Sequence, residues 1–162
     1  MPAKKESGIT RKAIGVLTVL LVIFILIMMR LVSGIQGTAR VVNYAGLVRG
    51  GTQRWIKMEI TGNPRDKMME AVESYIDGLQ NGSEDLGLVR LKDAKYQAKV
   101  EEQKEYFQKL KEEVQHVRES GYYNTNIIED SETFFQICDD ATGLAEAYSQ
   151  RKASQLDILE KV

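Results

Sequence analysis

The residues whose type and spacing best suit chemistry are Arg49 and Gln53, set among Gly46, Gly50 and Gly51. Four positions apart on a helix, the two polar side chains share one face. An arginine turned inward must be paired or must bind something, because an isolated buried charge costs several kcal/mol. Glycine costs about 1 kcal/mol at a mid-helix position. A cluster of three therefore points to close backbone approach, by a second helix or by a small ligand. Pairing of Arg49 with a glutamate of another helix, or a hinge or loop at the glycines, accounts for the same residues equally well.

Other chemistries find little support. His116 is the only histidine and Cys138 the only cysteine. A histidine-cluster zinc site, an internal disulfide and a CxxC metal site are thereby excluded. His116 falls beside the Val114/Val117 stripe, where an exposed helix residue is expected. Cys138 falls on an apolar stripe and reads as a small buried hydrophobe. Glu101-Glu102 and Asp139-Asp140 read as solvated helix faces, and Trp55 reads as core. No glycine-rich loop is present to cradle phosphates. The chain is expected to be neither an enzyme nor a cofactor binder. A formal net charge of −1 also argues against a nucleic-acid partner.

The elements that position Arg49 begin with an uncharged run from Ala13 to Met29, almost all Val, Leu, Ile, Phe or Met. Leu31 and Val32 extend it, and Arg30 can snorkel to the headgroups. Residues 13–33 thus read as a transmembrane helix. Residues 1–12 carry Lys4, Lys5, Arg11 and Lys12 against Glu6, and such a positive flank stays cytoplasmic. A cleaved signal peptide would have a shorter apolar core ending at a small-x-small site, whereas this run ends in Met28-Met29-Arg30. The expectation is a single-pass protein of the inner or plasma membrane, with its bulk outside the cytoplasm.

Four helices are expected in residues 34–162. The first continues from the membrane, with a seam at Ile35, Ala39, Val42, Gly46, Arg49, Gln53, Ile56 and Ile60 in alternating steps of 4 and 3. Asn63-Pro64 ends or restarts it, Asn as N-cap and Pro at the first helical position. The second helix carries Met69, Val72, Ile76 and Leu79, and Gln80-Asn81-Gly82-Ser83 forms a turn. The third runs from Asp93 to Ser120 with Tyr96, Val100, Phe107, Leu110, Val114 and Val117 inward. Gly121-Tyr122-Tyr123-Asn124 breaks it. The fourth starts near Ile127 and turns Phe134, Cys138, Ala141, Ala145, Tyr148 and Leu159 inward. No segment alternates with the period of a strand. The expected fold is all-α: an N-terminal transmembrane helix continuing into an extracytoplasmic antiparallel four-helix bundle.

The segment Ala39-Arg40-Val41-Val42-Asn43-Tyr44-Ala45-Gly46-Leu47-Val48-Arg49 resembles the motif A-R-x-I-N-x-A-G-x-x-R-M. That motif marks the input domains of bacterial nitrate/nitrite sensor kinases and the related PilJ-type domains of type IV pilus chemotaxis transducers. Ser131-Glu132-Thr133-Phe134-Phe135 and Ala145-Glu146-Ala147-Tyr148-Ser149 are similar to elements of the last PilJ-type helix. The resemblance covers residue 13 to the end. It implies a homodimer in which Arg49 of each protomer contacts a small anion or polar ligand at the interface, with guanidinium forks suited to a planar oxyanion. Gly50 replaces the family's methionine, which enlarges and softens the site. Asn43, Gln53 and Arg54 are secondary candidates, Arg54 lying off the seam. By this resemblance the chain is expected to be the input part of a longer receptor, whose kinase, cyclase or chemotaxis-type output follows a second membrane helix. The alternative expectation is a single-pass helical-bundle adaptor or structural protein with no small ligand.

Overall fold

The computed structural model describes residues 3–160, and its side-chain detail runs from Thr10 to Gln155. The side chains of Lys4, Lys5 and Leu159 therefore lie outside the described residues. The described chain is helical apart from its turns: α1 (Ala3–Ile60), α2 (Asp66–Asn81), α3 (Ala94–Ser120), a short 3₁₀ turn (Tyr122–Asn124) and α4 (Ile127–Glu160). Two compact units divide it, residues 1–35 and 36–162.

In the first unit, Ile14, Val16, Leu17 and every residue from Val19 to Ile27 present exposed large apolar side chains. The most apolar 18-residue stretch of α1 has a mean hydropathy of 2.8 and none of it is buried within the protein. It is long and apolar enough to cross a membrane, and in water its exposed surface would be strongly unfavourable.

The second unit has one apolar core, built by Val41, Val48, Trp55, Val72, Ile76, Leu79, Tyr96, Phe107, Leu110 and Phe134. Trp55, Phe107 and Phe134 form a chain of rings with centroids 5.5 and 5.7 Å apart. All six expected inward positions of α3 are buried, together with Gln103. Asp93 caps α3 by accepting the Tyr96 N–H at 3.0 Å, which satisfies one of the four donors a helix start leaves open. In the α2–α3 connection, Ser83 and Leu88 exchange backbone hydrogen bonds at 2.9 and 2.7 Å, closing a tight turn in which Gly87 takes a positive φ of 61°.

Two expectations need correction. The buried seam of α1 is Thr38, Val41, Ala45, Val48, Thr52, Trp55 and Glu59, one residue before the expected seam, and of the expected positions Ile56 alone is buried as well. The steps are the same, but each position is turned by about 100°. Thr52 lies inside because its hydroxyl donates to the Val48 carbonyl at 2.8 Å, a local bond that makes a buried threonine inexpensive. Asn63 is not an N-cap. Its amide folds back onto the Thr61 carbonyl at 3.0 Å, and α2 starts after Arg65.

Candidate functional site

The one-residue turn of the seam decides where the candidate residues lie. Val48 and Thr52 take the fully buried positions, and Arg49 and Gln53 fall to one side of them, facing α4. Arg49 donates through Nη1 to the Asp139 carboxylate, with 35% of its side chain and 50% of that of Asp139 exposed. Its guanidinium carbon stands 5.5 Å from the Phe135 ring centroid, a cation–π distance. Phe135 and Asp139 are four apart on α4 and so present one patch, ring and carboxylate, to the same arginine. Nε and Nη2 of Arg49 have no acceptor among the described residues. Gln53 donates Nε2 to the Ser131 carbonyl at 3.1 Å.

The other candidates lie elsewhere on α1. Gly46, Gly50 and Arg54 line a groove of about 330 Å³ between α1 and α2, walled on the α2 side by Met68, Val72 and Tyr75. A Cβ at Gly46 or Gly50 would meet nothing within 4 Å, whereas one at Gly51 would stand 2.9 Å from Val72 Cγ2. Of the three glycines, only Gly51 thus permits a close helix approach. All three lie inside α1, so they mark neither a loop nor a break. Arg54 is exposed, and Asn43 is exposed outside both groups. Arg49 with Gln53, and Gly50 with Arg54, therefore belong to two faces rather than one site.

Behind the Arg49 patch, Cys138 is fully buried and its Sγ accepts from Gln103 Nε2 at 3.0 Å. Burial pushes the thiol up to about 12, against the smaller opposing effects of the Gln103 hydrogen bond and the Arg49 charge. The thiol is thus inert at neutral pH. Asp140, next to Asp139, accepts from Gln136 at 3.1 Å and pairs with Lys99 at 3.5 Å.

A second polar cluster lies where α1, α2 and α3 meet. The Glu59 carboxylate is 0% exposed. It accepts from Trp55 Nε1 at 2.9 Å, the Arg65 N–H at 3.3 Å, and Arg118 Nε and Nη2 at 2.9 and 2.7 Å. Arg118 also reaches Asp66 at 2.6 Å. Burial by itself would raise the Glu59 pKa. The bonds from Arg118, Arg65 and Trp55 outweigh burial and hold it below the ordinary carboxylate value. Both carboxylate oxygens are bonded and the group is fully enclosed, so the cluster is a clamp between helices rather than an open site.

The residues that sequence reasoning misses are Asp139 and Phe135, which complete the Arg49 patch, and Glu59. The i,i+4 spacing of Phe135 and Asp139 is the signal that could have drawn attention to them. Among the described residues, no group of three or more His, Cys, Asp or Glu side chains is placed to hold a metal ion. The chain matches no family model, no curated protein and no solved structure.

Proposed function

We propose that this protein is a membrane-anchored sensory input module, an antiparallel four-helix bundle held outside the cytoplasm by the apolar part of α1. In this reading it responds to a small anion or polar molecule at Arg49. One observation carries the reading. Arg49 is a partly exposed guanidinium whose one acceptor among the described residues is Asp139, which leaves its Nε and Nη2 donors for a second.

Contacts between α1 and α4 support the antiparallel arrangement, because Thr38 meets Ser149, Arg49 meets Asp139 and Gln53 meets Ser131. The pair that the ligand would address thus joins the helix that leaves the apolar segment to the last helix of the chain. An oxyanion binding the open edge of Arg49 would compete with Asp139 for the same charge. It would favour a packing in which α1 and α4 are less tightly joined, and a ligand shifts such an equilibrium only by its difference in affinity for the two packings. The resemblance of residues 39–49 to nitrate/nitrite sensor and PilJ-type domains supports the same reading, and with it a homodimer and an output module beyond this chain.

The second reading is a single-pass helical-bundle adaptor without a small ligand. It is favoured by the same ion pair taken differently, since Asp139 already neutralises Arg49. A thermal-shift screen of the detergent-solubilised chain against nitrate, nitrite and small carboxylates separates the two. A saturable upward shift that Arg49→Ala abolishes is the expected result. No shift with any anion leaves the adaptor reading standing, and a full shift retained by Arg49→Ala removes Arg49 as the site.

A further inference from the structure

Among the described residues, exposed cations without acidic partners occur on segments of the second unit that run from the neighbourhood of Gly37. The α2–α3 turn lies against α1 there. A Cβ at Gly37 would meet both Val89 methyls at 3.1 Å, and Arg40 Nη1 donates to the Leu86 carbonyl at 3.3 Å. Arg90, Lys92 and Lys95 follow Val89 in the chain. All three are exposed, and none forms an ion pair among the described residues. Arg151 of α4 reaches the same place through Asp93 at 2.8 Å, and Lys152 beside it stands over the Tyr148 ring. Among the described residues, the acidic side chains on these segments are Asp93, already held by Arg151, and Glu84 and Asp85 in the turn closed by Ser83 and Leu88. Positive charge prevails, and Val89, 45% exposed, stands apolar among it.

Gly37 follows Ser33, the last residue of the expected membrane segment, by four positions. Four residues of chain reach at most about 14 Å, so Gly37 itself lies within that distance of the segment's end.

We infer that Arg40, Arg90, Lys92, Lys95 and Lys152 form a collar that docks on anionic lipid headgroups, with Val89 as its apolar tip. The inference rests on the membrane-anchor reading. It adds a lipid-sensitive contact made by the loop that packs on α1. Each Lys or Arg near an anionic surface favours a docked state by about fivefold, so three of them favour it on the order of a hundredfold.

The test uses the full chain reconstituted in vesicles of phosphatidylcholine, alone or mixed with phosphatidylglycerol. A Val89→Cys variant is labelled with a fluorophore, Cys138 being buried, and spin-labelled lipid headgroups serve as quencher. The expected result is quenching that rises with phosphatidylglycerol and falls at high salt. In the triple variant Arg90→Gln, Lys92→Gln, Lys95→Gln, the docked-to-free ratio falls by on the order of a hundredfold. Those side chains are exposed, and far-UV circular dichroism checks that the helices remain. Equal quenching in both lipid mixtures, or in the triple variant, overturns the collar. Alkaline carbonate extraction is run in parallel. If the chain is released, the anchor reading fails and the collar with it. If the chain is retained without charge-dependent quenching, the collar alone fails.

Discussion

Removing Arg118 should destabilise the second unit more than removing the charge of Glu59, and it should reverse the sign of Glu59's contribution to the pH dependence. Glu59 is fully enclosed, whereas 28% of the Arg118 side chain is exposed and a second carboxylate, Asp66, lies 2.6 Å away. Glu59→Gln keeps the shape and leaves Arg118 with Asp66 and water. Breaking a buried pair costs about 3–5 kcal/mol when the survivor is stranded. Here the survivor is not stranded, and a loss of about 1–2 kcal/mol is expected. Arg118→Met strands the Glu59 carboxylate with only Trp55 and the Arg65 N–H, and the loss is expected to reach about 3–5 kcal/mol. In the wild type the folded-state pKa of Glu59 is lowered. Its contribution is therefore complete above the unfolded value near 4.5 and disappears as pH falls through the folded value. Without Arg118, burial dominates and the folded pKa rises above the unfolded one. The penalty then applies at neutral pH and is relieved as pH falls. Urea unfolding followed by circular dichroism from neutral pH to about pH 3, below the unfolded value near 4.5, reads both effects. If Arg118→Met unfolds at the wild-type urea concentration, or keeps the wild-type sign of that contribution to the pH dependence, the clamp does not hold the three helices as described.

Neighbouring glycines should respond oppositely to alanine. Gly50→Ala adds a methyl to open space and should raise stability by roughly 0.5–1 kcal/mol. Gly51→Ala drives its methyl to 2.9 Å from Val72 and should lower the unfolding midpoint, overpacking costing about 1–3 kcal/mol against that propensity gain. Both are read from thermal unfolding. Cys138, buried and with its thiol pushed up to about 12, should resist maleimide in the native chain at neutral pH and react promptly in denaturant. Fast native labelling would show that the α4 core opens readily.

Local chemistry made much of the fold legible in the sequence. Asp93 reads as the start of α3 because an N-cap bond reaches only to residue 96, and the six apolar positions of α3 and the break at Gly121 follow from equally short-range rules. The seam of α1 was displaced by one residue because Thr38, Thr52 and Glu59 stand on the true one. Ile35, Val42 and Ile60, only partly buried, make the neighbouring stripe look the more apolar. On this seam Thr52 bonds within its own helix, whereas Glu59 depends on Arg118, 59 residues away. Arg49 was recognisable as a residue requiring a partner, and the carboxylate expected for it was a glutamate. The partner is Asp139, 90 positions along the chain, brought there by the packing of α4. No spacing within α1 encodes that separation, nor does it disclose that Gly46, Gly50 and Arg54 belong to a different face.

Whether Arg49 receives an anion is tested most directly by observing its guanidinium. The full chain, labelled with ¹⁵N-arginine and held in detergent micelles, gives an Nε–Hε resonance for Arg49 that Arg49→Lys identifies by its disappearance. On titration with nitrate, nitrite or small carboxylates, this resonance is predicted to move saturably with at least one of them. Asp139→Asn should lower the concentration required, since the internal competitor is then neutral. An Arg49 resonance that stays fixed through the whole series, in both the wild type and Asp139→Asn, would contradict the sensory reading.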